Sequence, residues 1–172
     1  RPEINDQKGI GIANGGLGDC YKKLGEIEKA SENYQINLEI SHNNGDKQGI
    51  VRMTSMLGEI KYEIAKNEDE ENSRMELIDE AEDYYEESLA TAEDQENIIG
   101  MIFAFSGLIK VIVLSGHYEK CERVFLMIEE KASGINKAPD FAKDALKAAA
   151  AMLSENTDVY DQDVKKIYKM MN

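Results

Sequence analysis

Apolar side chains recur along the first 40 residues at helical spacing. Ile10, Leu17, Tyr21 and Leu24 share one stripe of a 3.6-residue period, and after Gly25 a second stripe runs through Ile27, Ala30, Tyr34 and Leu38. Two amphipathic segments joined by a short glycine-containing turn predict a pair of antiparallel helices. The segment from Ile98 to Leu114 is apolar almost throughout, with Lys110 its one charge. It is a little short for the roughly 20 residues of a bilayer span, and a helix buried between neighbours has the same composition.

The pattern then repeats. Leu17-Gly18 returns as Leu57-Gly58, and Asp6-Gln7-Lys8-Gly9-Ile10 returns as Asp46-Lys47-Gln48-Gly49-Ile50, both offset by 40. The marks of the second helix, Ala30, Tyr34 and Leu38, return as Ala81, Tyr85 and Leu89, offset by 51. An insertion of 11 residues, 66 to 76, between the helices of the second pair accounts for the difference. Beyond it Gly116 and Cys121 stand 91 residues after Gly25 and Ala30, and Phe125 stands 40 after Tyr85. A fixed period of this length signals stacked hairpins, because one hairpin cannot bury its face alone. Small residues at Gly18, Gly58, Ala30, Ala81 and Cys121 allow close helix approach, and Tyr34, Tyr85 and Phe125 fill the space between hairpins.

Leu17-Gly18, Tyr21, Ala30 and Tyr34 resemble the pattern of the tetratricopeptide repeat family: Leu-Gly, an aromatic three residues on, then small and aromatic positions in the second helix. The 40-residue spacing with a Gly45-Asp46 turn is similar to the subtype in spindle-orientation adaptors and bacterial peptide-sensing regulators. The resemblance covers residues 6 to 133 and implies an all-α solenoid of about four stacked antiparallel hairpins in a right-handed superhelix. On this reading one repeat domain fills the chain, with repeats at about 7–45, 46–95 and 96–135 and a degenerate capping hairpin at 138–171. Residues 3 to 5 read as the tail of an earlier repeat. Departures are Lys61 at an aromatic position, with Tyr62 beside it, and Ile109 and Ile112 at a glycine and an aromatic position. After Pro139 a helix is expected at 140 to 154, and periodicity predicts another at 158 to 171.

Composition narrows the function. The chain carries 34 acidic and 20 basic side chains, a net charge of −14. That field excludes nucleic acid as the expected partner and favours a basic one. A charged surface that only keeps the chain soluble is the plainer alternative. Cys20 and Cys121 lie in no ligand-like spacing and read as buried small apolar residues of a reducing, cytoplasmic setting. The opening Arg1-Pro2-Glu3 has neither a leader nor an initiator Met, so a fragment of a longer chain is expected.

No catalytic constellation is found, and neither enzyme activity nor a cofactor or metal is expected. HExxH, Walker-type, Gly-x-Ser-x-Gly and paired CxxC motifs do not occur. His42 and His117 read as exposed turn residues. The run Glu68-Asp69-Glu70-Glu71 lacks the spacing and central glycine of a calcium loop and reads as part of a solvated, mobile insertion. The nine acidic residues between Asp79 and Glu96 read as an outer charged face.

The family resemblance places the first helix of each hairpin on a concave, partner-binding face. By position it assigns Ile12, Asp19, Lys22 and Lys23 from the first repeat, then Arg52, Ser55, Glu59, Tyr62 and Glu63 from the second. The third contributes Phe103, Ser106, Lys110, Val113 and Leu114. Charged groups would fix the register of a bound peptide while Phe103, Val113 and Leu114 receive an apolar anchor. The alternative is that these three pack against the 140–154 helix. The expected function is a protein-binding scaffold that takes a peptide or helical segment of a partner, with no nucleic acid and no membrane involved. Two rivals remain: a self-assembling structural component of a cytoskeletal or ciliary complex, and a regulatory domain of a larger enzyme.

Overall fold

The computed structural model describes residues 3–117 together with 120, 123, 124, 126 and 127. Among them are five helices and no strand: α1 (Glu3–Leu24), α2 (Ile27–Asn44), α3 (Lys47–Lys66), α4 (Glu71–Asp94) and α5 (Ile98–Ser115). The chain divides into two units, Arg1–Ala104 and Phe105–Asn172. The capping hairpin at 138–171, the 140–154 helix, Cys121 and Phe125 lie outside the described residues.

The first unit is built from two hairpins. The turn between α1 and α2 is made by Gly25, whose φ of 77° is in the left-handed region. There the amide of Gly25 donates to the carbonyl of Lys22 and that of Glu26 to Tyr21, which uses carbonyls left free at the helix end. Asp46 starts α3 by accepting a hydrogen bond from the Gly49 amide at 3.0 Å.

The 11 extra residues of the second hairpin are mostly helix, which corrects the expectation of a mobile insertion. Relative to the first hairpin, two residues lengthen α3, two lengthen the turn and seven extend α4 at its N-terminus. The acidic run supplies the helix start. Glu70 accepts hydrogen bonds from the amides of Asn72 and Ser73 (3.1 and 2.6 Å), and Glu68 accepts one from the amide of Glu70. Those amides hold the Glu70 carboxyl below its ordinary pKa.

A cluster of Ala30, Tyr34 and Leu38 from α2 with Ile50, Met53, Leu57 and Ile60 from α3 joins the hairpins. The second helices are also linked, by Tyr84 Oη donating to Gln35 at 3.1 Å and by His42 Nε2 at 3.0 Å from Glu87. His42 is therefore exposed but engaged with α4.

Three readings of α1 change. Residues 3 to 5 are continuous with α1 and are not a separate tail. Gly11, Gly15 and Gly18 are buried in α1, whereas Ile10, Leu17 and Leu24 are exposed. Of the predicted apolar stripe, Tyr21 packs against the core between α2 and α3, whereas Ile10, Leu17 and Leu24 lie outside the face that α2 covers. Cys20 lies on that same outer side and is exposed, not buried.

α5 has a mean hydropathy of 2.3 over 18 residues and is long and apolar enough to cross a membrane by length and composition. Half of it is buried inside the protein, Met101, Ala104, Leu108 and Val111 included.

Candidate functional site

Each hairpin is closed by the same device. Gly18 lies under the ring of Tyr34, so that a Cβ added there would stand 2.5 Å from Cδ1, and the Tyr34 hydroxyl donates to Asp19 at 2.8 Å. One repeat on, a Cβ at Gly58 would stand 3.0 Å from Cε1 of Tyr85, whose hydroxyl donates to Glu59 at 3.1 Å. Burial, helped by these carboxylates, pushes both phenols above their ordinary pKa. Asp19 and Glu59, assigned to a binding face by position, thus serve hairpin closure. The signal was present in the sequence as an acidic residue following each glycine at the same 40-residue offset.

Asp19 has a second partner. Arg52 Nη2 donates to its Oδ2 at 2.6 Å, which joins α1 to α3 across the predicted face. Ser55 is half-buried and shares a 2.8 Å hydrogen bond with Ser88, whose hydroxyl also donates to the Val51 carbonyl at 3.2 Å. Tyr62 is half-buried, and burial raises its phenol pKa. Lys22 and Lys23 occupy the last turn of α1, where positive charge favours the helix dipole. Ile12 is exposed and Glu63 half-buried. In the second unit Ser106, Lys110, Val113 and Leu114 are all half-buried on α5.

Three of the predicted residues come together. Arg52, Ser55 and Phe103 line a cleft of about 220 Å³ within the first unit. Gln48, Val51, Met56, Asn97, Ile99 and Gly100 complete its walls. Phe103 is 62% exposed, so an aromatic side chain at this cleft is open to solvent. Asn97 and Gly100 were missed in the sequence, although they repeat a known pair. Asn97 accepts from the Gly100 amide at 3.0 Å, as Asp46 does from Gly49, 51 residues earlier.

No family model matches the chain, and no curated protein matches it in sequence. Among solved structures it is similar to a de novo designed helical repeat protein, with a TM-score of 0.52 and 18% identity over 99% of this chain and 91% of that one. The class is therefore an all-helical repeat fold. At this identity the likeness concerns the fold alone.

Proposed function

We propose that the chain is a tetratricopeptide-type module of the cytoplasm that recruits another protein and catalyses nothing itself. The partner presents a short peptide or helical segment to the face formed by the first helices. One observation carries this reading: the cleft where exposed Phe103 stands beside Arg52 and Ser55, with Val51, Met56 and Ile99 around it. An aromatic anchor ringed by a few polar groups is the composition of an interaction hot spot. The partner's segment places an apolar side chain against Phe103 and polar groups near Arg52 and Gln48. Its flanks are basic, attracted by the net charge of −14.

The test is affinity capture with the intact chain at moderate salt, mass spectrometry of what is retained, and titration of the partner found. Arg52→Glu combined with Phe103→Ala weakens binding at least tenfold and leaves the helical circular dichroism unchanged. Equal affinity for the double variant and the parent removes the cleft as the binding site.

A further inference from the structure

α1 carries a seam with alternating three- and four-residue steps, Ile10, Ala13, Leu17 and Cys20. The same seam recurs 40 residues on in α3, as Ile50, Met53, Leu57 and Ile60, and 51 residues further in α5, as Met101, Ala104, Leu108 and Val111. In α3 it is the surface that receives α2. Burial separates the three copies. Ile50 and Leu57 are 8% and 1% exposed, and Met101 and Leu108 are 3% and 4% exposed. Ile10 and Leu17, at the matching places of α1, are 40% and 49% exposed. Ala13 and Cys20 are exposed as well.

An independent mark names what fits there. A Cβ at Gly49 would collide with the Ser41 hydroxyl of α2, and one at Gly100 would stand 3.0 Å from the Ala92 Cβ of α4. Ser41 and Ala92 are themselves 51 residues apart, so one contact is made twice: a glycine near the start of a first helix abuts a small side chain of the second helix before it. Gly9 is the third member of the series, 40 residues before Gly49, and among the described residues none comes within 4 Å of a Cβ built on it. Glycine weakens a helix relative to alanine, and Gly9, unlike Gly16, falls in register with two glycines that each abut a small side chain of a preceding second helix.

We propose that the outer face of α1 is a docking site for a further hairpin of this same repeat type, whose second helix seats on α1 as α2 seats on α3. That helix carries a small residue, an aromatic and a leucine at four-residue steps, as in Ala30-Tyr34-Leu38 and Ala81-Tyr85-Leu89. Three residues beyond the leucine it carries Ser or Ala, which fits against Gly9. The site is separate from the Phe103 cleft and stands whether or not that cleft binds a peptide.

The probe is a labelled peptide of residues 27–44, the α2 sequence, held helical by a staple across positions 28 and 32, both exposed in α2. Fluorescence anisotropy against the intact chain gives saturable binding. Leu17→Lys and Gly9→Leu each weaken it at least tenfold, with unchanged helical circular dichroism. Gly16→Ala, also with no described residue within 4 Å of its Cβ but aligned with Met56 of α3 and not with a glycine, changes affinity less than twofold. Binding that survives Leu17→Lys would mean exchange into the α3 seam and would overturn the proposal, as would no binding at all. Sedimentation of the chain alone provides the remaining arm. A dimer that Leu17→Lys dissociates, with no uptake of peptide, assigns the face to a second copy and also overturns it.

Discussion

The two hairpins of the first unit are locked alike but spaced differently. In α1–α2 the connection is two residues, and in α3–α4 it is four, with α4 two turns longer than its counterpart requires. The lock is nevertheless conserved within the chain: glycine beneath tyrosine, tyrosine hydroxyl on the next residue's carboxylate. Its position is set by the phase of the helices relative to Gly18 and Gly58, so a turn can lengthen without moving it. What differs is slack. Asp19 is short and lies close to Tyr34, whereas Glu59 reaches its tyrosine through one more methylene. The first lock is tight and the second tolerant.

The largest expected effect tests that slack. Gly18→Ala forces a methyl into the fully buried Tyr34 ring, at 2.5 Å from Cδ1 before any relaxation. Overpacking of this kind outweighs the gain in helix propensity, and the chain loses about 2–3 kcal/mol. At Gly58 the nearest ring atoms are 3.0 Å away. A small shift there leaves a loss of about 1 kcal/mol or less, partly offset by propensity. Urea denaturation of both variants measures the difference; equal losses would show that the hairpins are not distinguished by packing.

Next come the hydroxyls. Tyr34→Phe and Tyr85→Phe each remove one hydrogen bond to a carboxylate, worth about 1.5 kcal/mol. They also change the response to base. Because folding raises both phenol pKa values above the ordinary 10.0, the neutral phenols stabilise the fold fully below pH 10. That contribution is lost as pH rises from 10 through the folded-state values. The parent's stability therefore declines above pH 10, and the double Phe variant, less stable at pH 7, declines less steeply. Tyr62, Tyr84 and Lys29, raised in the same direction, add to the slope in both proteins. Denaturation midpoints measured from pH 8 to 11 check the sign; identical slopes would detach the tyrosines from the lock.

The same contrast shows what was readable in the sequence. Offsets of 40 and 51 residues located Gly18 with Tyr34 and Gly58 with Tyr85, because close packing restricts those positions to few residue types. They gave the length of the insertion but not its conformation, which depends on Glu70 capping α4. Periodicity grouped Ile10 with Leu17 and could not show that the group was uncovered: a period reports which residues share a face, while burial depends on a neighbour. The misreading of Cys20 has the same origin. Positional transfer brought Arg52, Ser55 and Phe103 to one cleft, yet it treated Asp19 and Glu59 as available when tyrosines already hold them. Hydrogen bonds between residues 15 and 26 positions apart leave no trace in the 3.6-residue period, only in the acidic residue that recurs after Gly18 and Gly58.

The smallest effect lies where each hairpin hands over to the next. The first ends at Gly45, φ 64°, with the amide of Asp46 donating to the Ser41 carbonyl at 2.8 Å. The second ends 51 residues later in the same geometry, Asn97 donating to Ala92 at 2.8 Å, but the left-handed residue is Glu96, φ 51°. A side chain there brings Cβ close to the following carbonyl, a strain glycine avoids. Glycine also gives the unfolded chain more freedom, so only part of that strain is recovered as stability. Glu96→Gly should raise stability by about 0.5 kcal/mol, or about 1–2 °C in Tm for a chain of this size. Gly45→Glu should move Tm the opposite way by a similar amount. A lower Tm for Glu96→Gly would mean that the Glu96 side chain contributes more at this exit than its backbone costs, and that the two exits differ in kind.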